Sequence, residues 1–352
     1  MRKTGTHSDA AAAPAPSGTS AASYSVTAEF HRKALDAVVR HFRGCSWNTA
    51  RDAVRTGKVS ISGQVETEPT RFVREGDVVT YNAAARKPRP SEDLPKDAIL
   101  YSDAHVIVVH KPPGMSTVPF DENEAGTGTL DERLRAWLAR ENRNARVGVG
   151  KGSKASKGGS GGLTRQPPSL GVVHRIDKET SGVLVFTRTW LAKQSLAAQF
   201  RAHTVHRKYL AIVHGAARSA THESHLLEDR GDGLRGSYEA RARRGPKEGQ
   251  LAITHVELLE RFEGASLVSC RLETGRTHQI RIHLSEAGNP LLGERVYIRN
   301  YRGSEIPAPR LMLHAAELGF VHPVTEKRID FVAPMPDDMR GVLARLTPVK
   351  RA

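Results

Sequence analysis

Strand-length apolar runs follow one another through the second half of the chain with little helix between them. "GVLVFTRT" (182–189), "YLAIVHG" (209–215), "AITHVELLE" (252–260), "SLVSCRLETG" (266–275) and "KRIDFVAP" (327–334) all read as strands. Only two helices are predicted among them, over Trp190 to Ala202 and Thr277 to Ala287. Parallel neighbours need long, usually helical, crossovers, whereas antiparallel strands do not. The pattern therefore predicts an α+β fold, a mainly antiparallel mixed sheet flanked by helices.

Upstream, "AILYSDAHVIVVHKPPG" (98–114) reads as strand, Ser102-Asp103 turn and strand. A helix follows from Thr129, with Thr129 and Glu132 as a capping box and Leu130, Leu134, Trp137 and Leu138 as its apolar stripe. Residues 145–168 are rich in Gly, Ser and Lys and contain no acid; they read as a disordered insertion. They are not a phosphate-binding loop, because Gly152 follows Gly150-Lys151 and Ala145 stands at the motif's first glycine.

A small unit precedes this. Residues 1–24 are Ala/Pro/Ser/Thr-rich and are expected to form a disordered tail. Leu35, Val38, Val39 and Phe42 then mark one face of a helix. Ser46 is the expected N-cap of a second helix with Trp47, Ala50 and Val54 as its stripe and Gly57 at its end. Its other face carries Arg51 and Arg55, followed by Lys58. "KVSISGQV" places Val59 and Ile61 inward with a turn at Ser62-Gly63, and "REGDVVTYN" adds a further strand. The expected layout is a small domain over 25–83, a charged, Pro-rich linker over 84–96, and a large domain over 97–346.

Net charge is +15 over 352 residues. Such an excess of Lys and Arg points to an anionic polymer, since cations at phosphates release condensed counterions. Cys45 and Cys270 are the two cysteines; so few, so far apart, fit a reducing compartment and exclude a thiolate zinc site of usual spacing. Proline within the small-residue run near the start argues against a signal peptide, and no apolar run approaches the roughly 18 residues a bilayer span needs. A cytoplasmic, monomeric protein is expected.

The ordinary catalytic constellations fail. Thr221 to His225 spaces its histidines three apart, not in the zinc-protease pattern, and Ser181 lacks a nucleophile elbow. No glycine-rich dinucleotide fingerprint follows a strand. No metal and no cofactor are expected. Carboxylate chemistry remains. In "GVVHRIDKETSG" (171–182) Asp177 lies between two apolar runs beside Arg175. Partial desolvation raises a carboxyl pKa and a nearby guanidinium lowers it, which leaves an available, poorly hydrated anion. A turn aspartate bonding the amides of Thr180 and Ser181 is the alternative. A second cluster, Arg276, His278, Arg281 and His283, follows a strand and opens a helix, where an arginine could meet a carboxylate on a neighbouring strand. A solvated basic face for RNA phosphates is the alternative there.

"HRIDKETSG" together with "LETGRTHQIRIH" resembles the RluA-type pseudouridine synthases, whose first motif reads His-Arg-Leu-Asp-x-x-Thr-Ser-Gly. The likeness continues through "HRKYLAIVHG", "GNPLLGERVY" and "LMLHAAELGFVHPVTEKRIDFVAPMPDDM", and covers nearly all of 97 to about 340. The unit near the N-terminus is similar to the RNA-binding module of ribosomal protein S-four, with Arg51, Arg55 and Lys58 among its RNA-facing residues. The resemblance implies isomerisation of a uridine in RNA, without a cofactor. Asp177 takes the place of the catalytic aspartate, Tyr209 that of the active-site tyrosine, and Arg281 that of the basic partner of the aspartate, with Arg276 as second choice. Arg175 takes the place of the residue that enters the RNA stack when the uridine flips out. His174, Thr180 and Arg276 count among the RNA-binding residues, and Leu272 or Ile280 is expected under the base. Ile176 replaces the usual Leu. Asn289 and Glu294 stand where His and Asp are more common, changes expected to touch no catalytic role. The expected substrate is large-subunit ribosomal RNA. The alternatives are transfer RNA, a non-catalytic ribosome-assembly factor, or a glycosidase using Asp177 and Glu179.

Overall fold

The computed structural model describes residues 21–85, 94–95, 97–119, 128–149, 170–230, 234–238 and 249–349. The chain divides into two compact units, Met1–Pro88 and Arg89–Ala352.

In the first unit, strand β1 (Ala22–Ser25) precedes helices α1 (Leu35–Arg43) and α2 (Trp47–Arg55), then β2 (Val59–Ile61), β3 (Gln64–Val65) and β4 (Val78–Tyr81). The strands lie in the order β1-β4-β2-β3, with antiparallel pairing throughout. Ser62 and Gly63 both have positive φ, 48° and 84°. That conformation suits a two-residue hairpin turn whose twist matches the strands. The Ser46 hydroxyl accepts the Thr49 amide, capping α2. Leu35, Val38, Val39, Ala50, Val54, Val59, Ile61 and Val79 close one core.

Two expectations change here. The first three residues of β1, 22–24, fall inside the stretch read as a tail; the pairing of Tyr24 with Val79 is invisible to local composition because the partner lies far along the chain. Trp47 was placed on the buried stripe of α2 but is 43% exposed, with the guanidinium of Arg40 4.8 Å from its ring. It sits in the first turn, beyond the edge of the small core, where an arginine covers it.

The second unit holds β5 (Ile99–Ser102), β6 (Val106–Lys111), α3 (Leu130–Val149), β7 (Gly171–Val172), β8 (Ser181–Thr187), α4 (Trp190–Arg201), β9 (His206–His214), β10 (Ala220–Leu227), β11 (Gly236–Ser237), β12 (Gln250–Phe262), β13 (Ala265–Leu272), α5 (Gln279–Glu286), β14 (Leu313–Val321), β15 (Arg328–Val332) and α6 (Asp337–Leu343). Eleven strands form one sheet in the order β11-β10-β12-β13-β9-β14-β8-β6-β5, with β15 on β14 and β7 on β8. Every pair is antiparallel except β14–β8. This is the mainly antiparallel α+β architecture expected.

Strand periodicity sorts the core into layers. Ile107 and Val109 of β6 and Leu184 and Phe186 of β8 face Leu130, Leu134 and Leu138 of α3. The intervening Val106, Val108, Val183 and Val185 face Ala192 and Leu196 of α4. Glu132 closes the start of α3 by accepting the amides of Gly128 and Thr129. The α3-facing layer continues across β9 and β13 as Tyr209, Ala211, Cys270 and Leu272, and takes in Ile280 and Leu284 of α5. Residues 145–149, within the expected insertion, belong to α3; 1–20, 86–93, 96 and 150–168 lie outside the described residues.

Candidate active site

The loop 173–180 joins β7 to β8, and it is held from beneath. The Thr117 hydroxyl donates to the Ile176 carbonyl at 2.9 Å. Lys111, fully buried at 0% exposure, donates to the carbonyls of Pro112, Met115 and Lys178 at 3.0, 2.7 and 2.9 Å. Burial pushes its pKa down to about 7, opposed by the charges of Asp177 and Glu179. Three acceptors around one ammonium satisfy all its donors, so the lysine acts as a strut for the loop backbone. The loop leaves into β8 at Gly182, whose φ is +120° and where a Cβ would lie 2.2 Å from the Ala315 carbonyl oxygen. This glycine permits the one parallel pairing in the sheet, Gly182 with Ala315.

Asp177 is therefore displayed by a braced loop. Its backbone carbonyl accepts the Thr180 amide at 3.1 Å, so the turn closes on the main chain and the carboxylate remains available. The side chain is about one-fifth exposed. Arg281 Nη1 lies 3.5 Å from Oδ2, and His278 Nε2 4.0 Å from Oδ1. Burial raises the Asp177 pKa, but His278, Arg281 and Arg175 together outweigh it, so the group sits below its ordinary value and is an anion at neutral pH.

Arg281 belongs chiefly to another carboxylate. Its Nε and Nη2 donate to the two oxygens of Glu294 at 2.8 and 2.7 Å. This bidentate pair brings the residue at 294, expected to lie apart from the proposed catalytic groups, into contact with one of them. Glu294 is wholly buried and also accepts the amides of Arg295 and Val296. Despite the cost of burial, Arg281 and the amides of Val296 and Tyr297 hold its pKa down to about 2. The fork fixes the guanidinium plane and leaves Nη1 directed at Asp177. His278 is set in a similar way. It adopts left-handed φ of 59° at the N-cap of α5, and its Nδ1 pairs with the Tyr297 hydroxyl at 2.7 Å. Such a conformation in a non-glycine residue persists only where the surroundings enforce it.

Tyr209, on β9, packs in the same buried cluster as Ile176, Leu272, Ile280 and Ala315. Burial and the nearby Asp177 charge raise its phenol pKa, with Arg207 acting against them. The site thus joins one poorly hydrated carboxylate, one fixed guanidinium, one imidazole and one phenol, bordered by apolar side chains. Such an anion can serve as nucleophile or base.

The other residues singled out from sequence are placed differently. Arg175 is exposed beside Asp177. Arg276 spends its Nε on the Leu251 carbonyl rather than on Asp177. His174 and Thr180, expected to bind RNA, are turned inward. The His174 ring accepts the Val185 amide and stacks on Phe200, and Thr180 is 1% exposed. Arg51, Arg55 and Lys58 lie in the first unit, where Arg51 Nε pairs with the buried Asp36 at 3.0 Å. Among the described residues no group of three or more His, Cys, Asp or Glu side chains is arranged to hold a metal ion. No helix among them is long and apolar enough to cross a membrane.

The sequence model of the RNA pseudouridylate synthase family matches residues 105–286, which carry Asp177, Tyr209 and Arg281. The chain is 36% identical over 300 residues to ribosomal large subunit pseudouridine synthase D of Zymomonas mobilis, an alignment covering 82% of this chain and 86% of that protein. It is 35% identical over 296 residues to an uncharacterized RNA pseudouridine synthase of Bacillus subtilis, covering 83% and 87%. Among solved structures, human RNA pseudouridylate synthase domain containing 4 shares the fold with a TM-score of 0.52 at 24% identity, over 72% of this chain and 95% of that one. The family match spans the braced aspartate loop, the tyrosine strand and the arginine helix, and on it the chain belongs to the RNA pseudouridylate synthases.

Proposed function

We propose that this chain isomerises specific uridines of large-subunit ribosomal RNA, with Asp177 as the catalytic carboxylate. The observation that carries the reading is the Asp177 anion, poorly hydrated and aimed by an Arg281 that Glu294 holds from behind. The ribosomal target rests on the likeness to the large-subunit synthase D of Zymomonas mobilis over most of both chains. A net charge of +15 suits an RNA of that size.

The target uridine leaves the stack at a cost of about a few kcal/mol. The exposed Arg175 takes its place, since a planar cation both stacks and binds phosphate. The uracil rests against Tyr209 and its apolar neighbours. Asp177 then attacks the anomeric carbon, adds to the uracil ring, or abstracts a sugar proton; in each route the base detaches, turns and rejoins through carbon 5, whose hydrogen is lost. Atoms balance without a cofactor, because substrate and product are isomers. Arg281 keeps Asp177 ionised until it reacts and again once it is released. The small first unit serves as an RNA-binding module like that of ribosomal protein S-four, and the enzyme acts as a cytoplasmic monomer.

The test is release of tritium from carbon 5 of uridine in unmodified large-subunit and transfer RNA transcripts. Wild-type protein releases it from the former, while Asp177→Asn folds, binds RNA and loses turnover by at least about 1,000-fold, the scale on which loss of a nucleophile is felt. Near-normal release by Asp177→Asn removes the aspartate from its role, and release from transfer RNA alone reassigns the substrate.

A further inference from the structure

A cleft of about 500 Å³ opens where the start of α5 meets the ends of β10 and β12. Leu226, Leu227 and Gln250 form one part of its wall, Arg276 and Thr277 another, and Arg235 and Glu228 a third. The volume lies within the roughly 300–1,000 Å³ typical of ligand clefts. The aspartate site is close by. Thr277 precedes His278, which contacts Asp177 at 4.0 Å, and Arg235 acts electrostatically on Tyr297, the hydrogen-bond partner of His278.

We infer that this cleft binds the nucleotide flanking the target uridine, with Arg235 and Arg276 on its phosphate and Leu226 and Leu227 under its sugar or base. The inference rests on the isomerase reading of the aspartate site and extends it to substrate choice. Two guanidiniums reach one cavity from separate segments, and among the described residues neither is locked in a buried ion pair. Arg276 is anchored through Nε to the Leu251 carbonyl, which aims the rest of its fork. Among the described residues Arg235 is paired with Glu228, at 3.3 Å, and that carboxylate is 88% exposed. An ion pair so open to solvent holds weakly and yields to a phosphate. Glu228 therefore acts as a resident anion: it keeps Arg235 oriented in the free protein and competes with RNA for it.

The assignment gives two neighbouring residues opposite effects, which a purely structural ion pair does not. With the full-length protein and an unmodified large-subunit ribosomal RNA transcript, Arg235→Met raises KM about tenfold while kcat stays within about twofold, and it lowers the slope of log affinity against log salt by about one. Glu228→Gln lowers KM by a few-fold. Unchanged KM and salt slope in Arg235→Met overturn the inference, as does a Glu228→Gln variant whose KM rises with that of Arg235→Met. The salt slope is also read by filter binding, independently of turnover. A wild-type protein that binds the transcript but releases no tritium sinks the isomerase reading, while the cleft is still judged on the Arg235→Met slope.

Discussion

Glu294 is the residue on which the geometry of the site turns. A guanidinium between two carboxylates 104 residues and 13 residues away in sequence must choose, and the bidentate geometry gives it to Glu294, leaving Asp177 a single contact at 3.5 Å. A catalytic anion bound too firmly to its counter-ion is a poor nucleophile; one held at the edge of contact stays charged yet reactive. Removing one member of a buried pair leaves an uncompensated charge. Glu294→Gln is thus expected to cost roughly 3 kcal/mol of stability and to reduce kcat as Arg281 swings onto Asp177. The pH sign follows from the depressed pKa. Glu294 falls from an ordinary 4.5 to about 2 on folding. Its contribution is complete above about 4.5 and is lost as pH falls towards 2. Urea midpoints measured from pH 6 to pH 3 should show the gap between wild type and Glu294→Gln narrowing with acid. A constant gap means the pair does not carry that free energy.

At the scale of elements, the decisive junction is where the aspartate loop becomes β8. β8 is buried along its whole length and joins the sheet halves through its parallel contact with β14. Gly182 makes this contact possible, and Ser181 secures it: its hydroxyl pairs with His314 Nδ1 and accepts from Arg310, which also grips Asp338 of α6 at 2.6 and 2.9 Å. The aspartate loop is thereby tied to the C-terminal helix as well as to Lys111. Gly182→Ala combines a left-handed φ with a Cβ 2.2 Å from a backbone oxygen. A loss of at least about 2 kcal/mol is expected, with catalysis falling further because the loop moves. A urea midpoint within error of wild type would show that the strand yields at no cost.

At the scale of the molecule, each of the two units has its own core, so the RNA binding proposed for the first can be tested apart from the chemistry proposed for the second. Deleting residues 1–82 should weaken RNA binding and flatten its salt dependence, since the arginines at 40, 43, 51 and 55 go with it, while the melting transition of the larger unit persists. An unchanged salt slope would mean that the first unit contributes no phosphate contacts.

Much of this was legible from sequence. Apolar runs marked β6, β8, β9, β12 and β13, helical spacing marked α1 and α3, and the spaced motifs brought Asp177, Tyr209 and Arg281 forward together. These signals are local, because side-chain direction along a strand or helix repeats over a few residues. Other features were not written locally. β1 and β14 became strands through partners far along the chain, and His174 and Thr180 turned inward because the loop folds over Phe200 and Lys111. Glu294 looked like a neutral departure until Arg281 was found against it. Only the tertiary structure decides which charge meets which, because a contact between distant segments depends on the register of every strand between them, and a one-residue slip would turn each side chain to the opposite face.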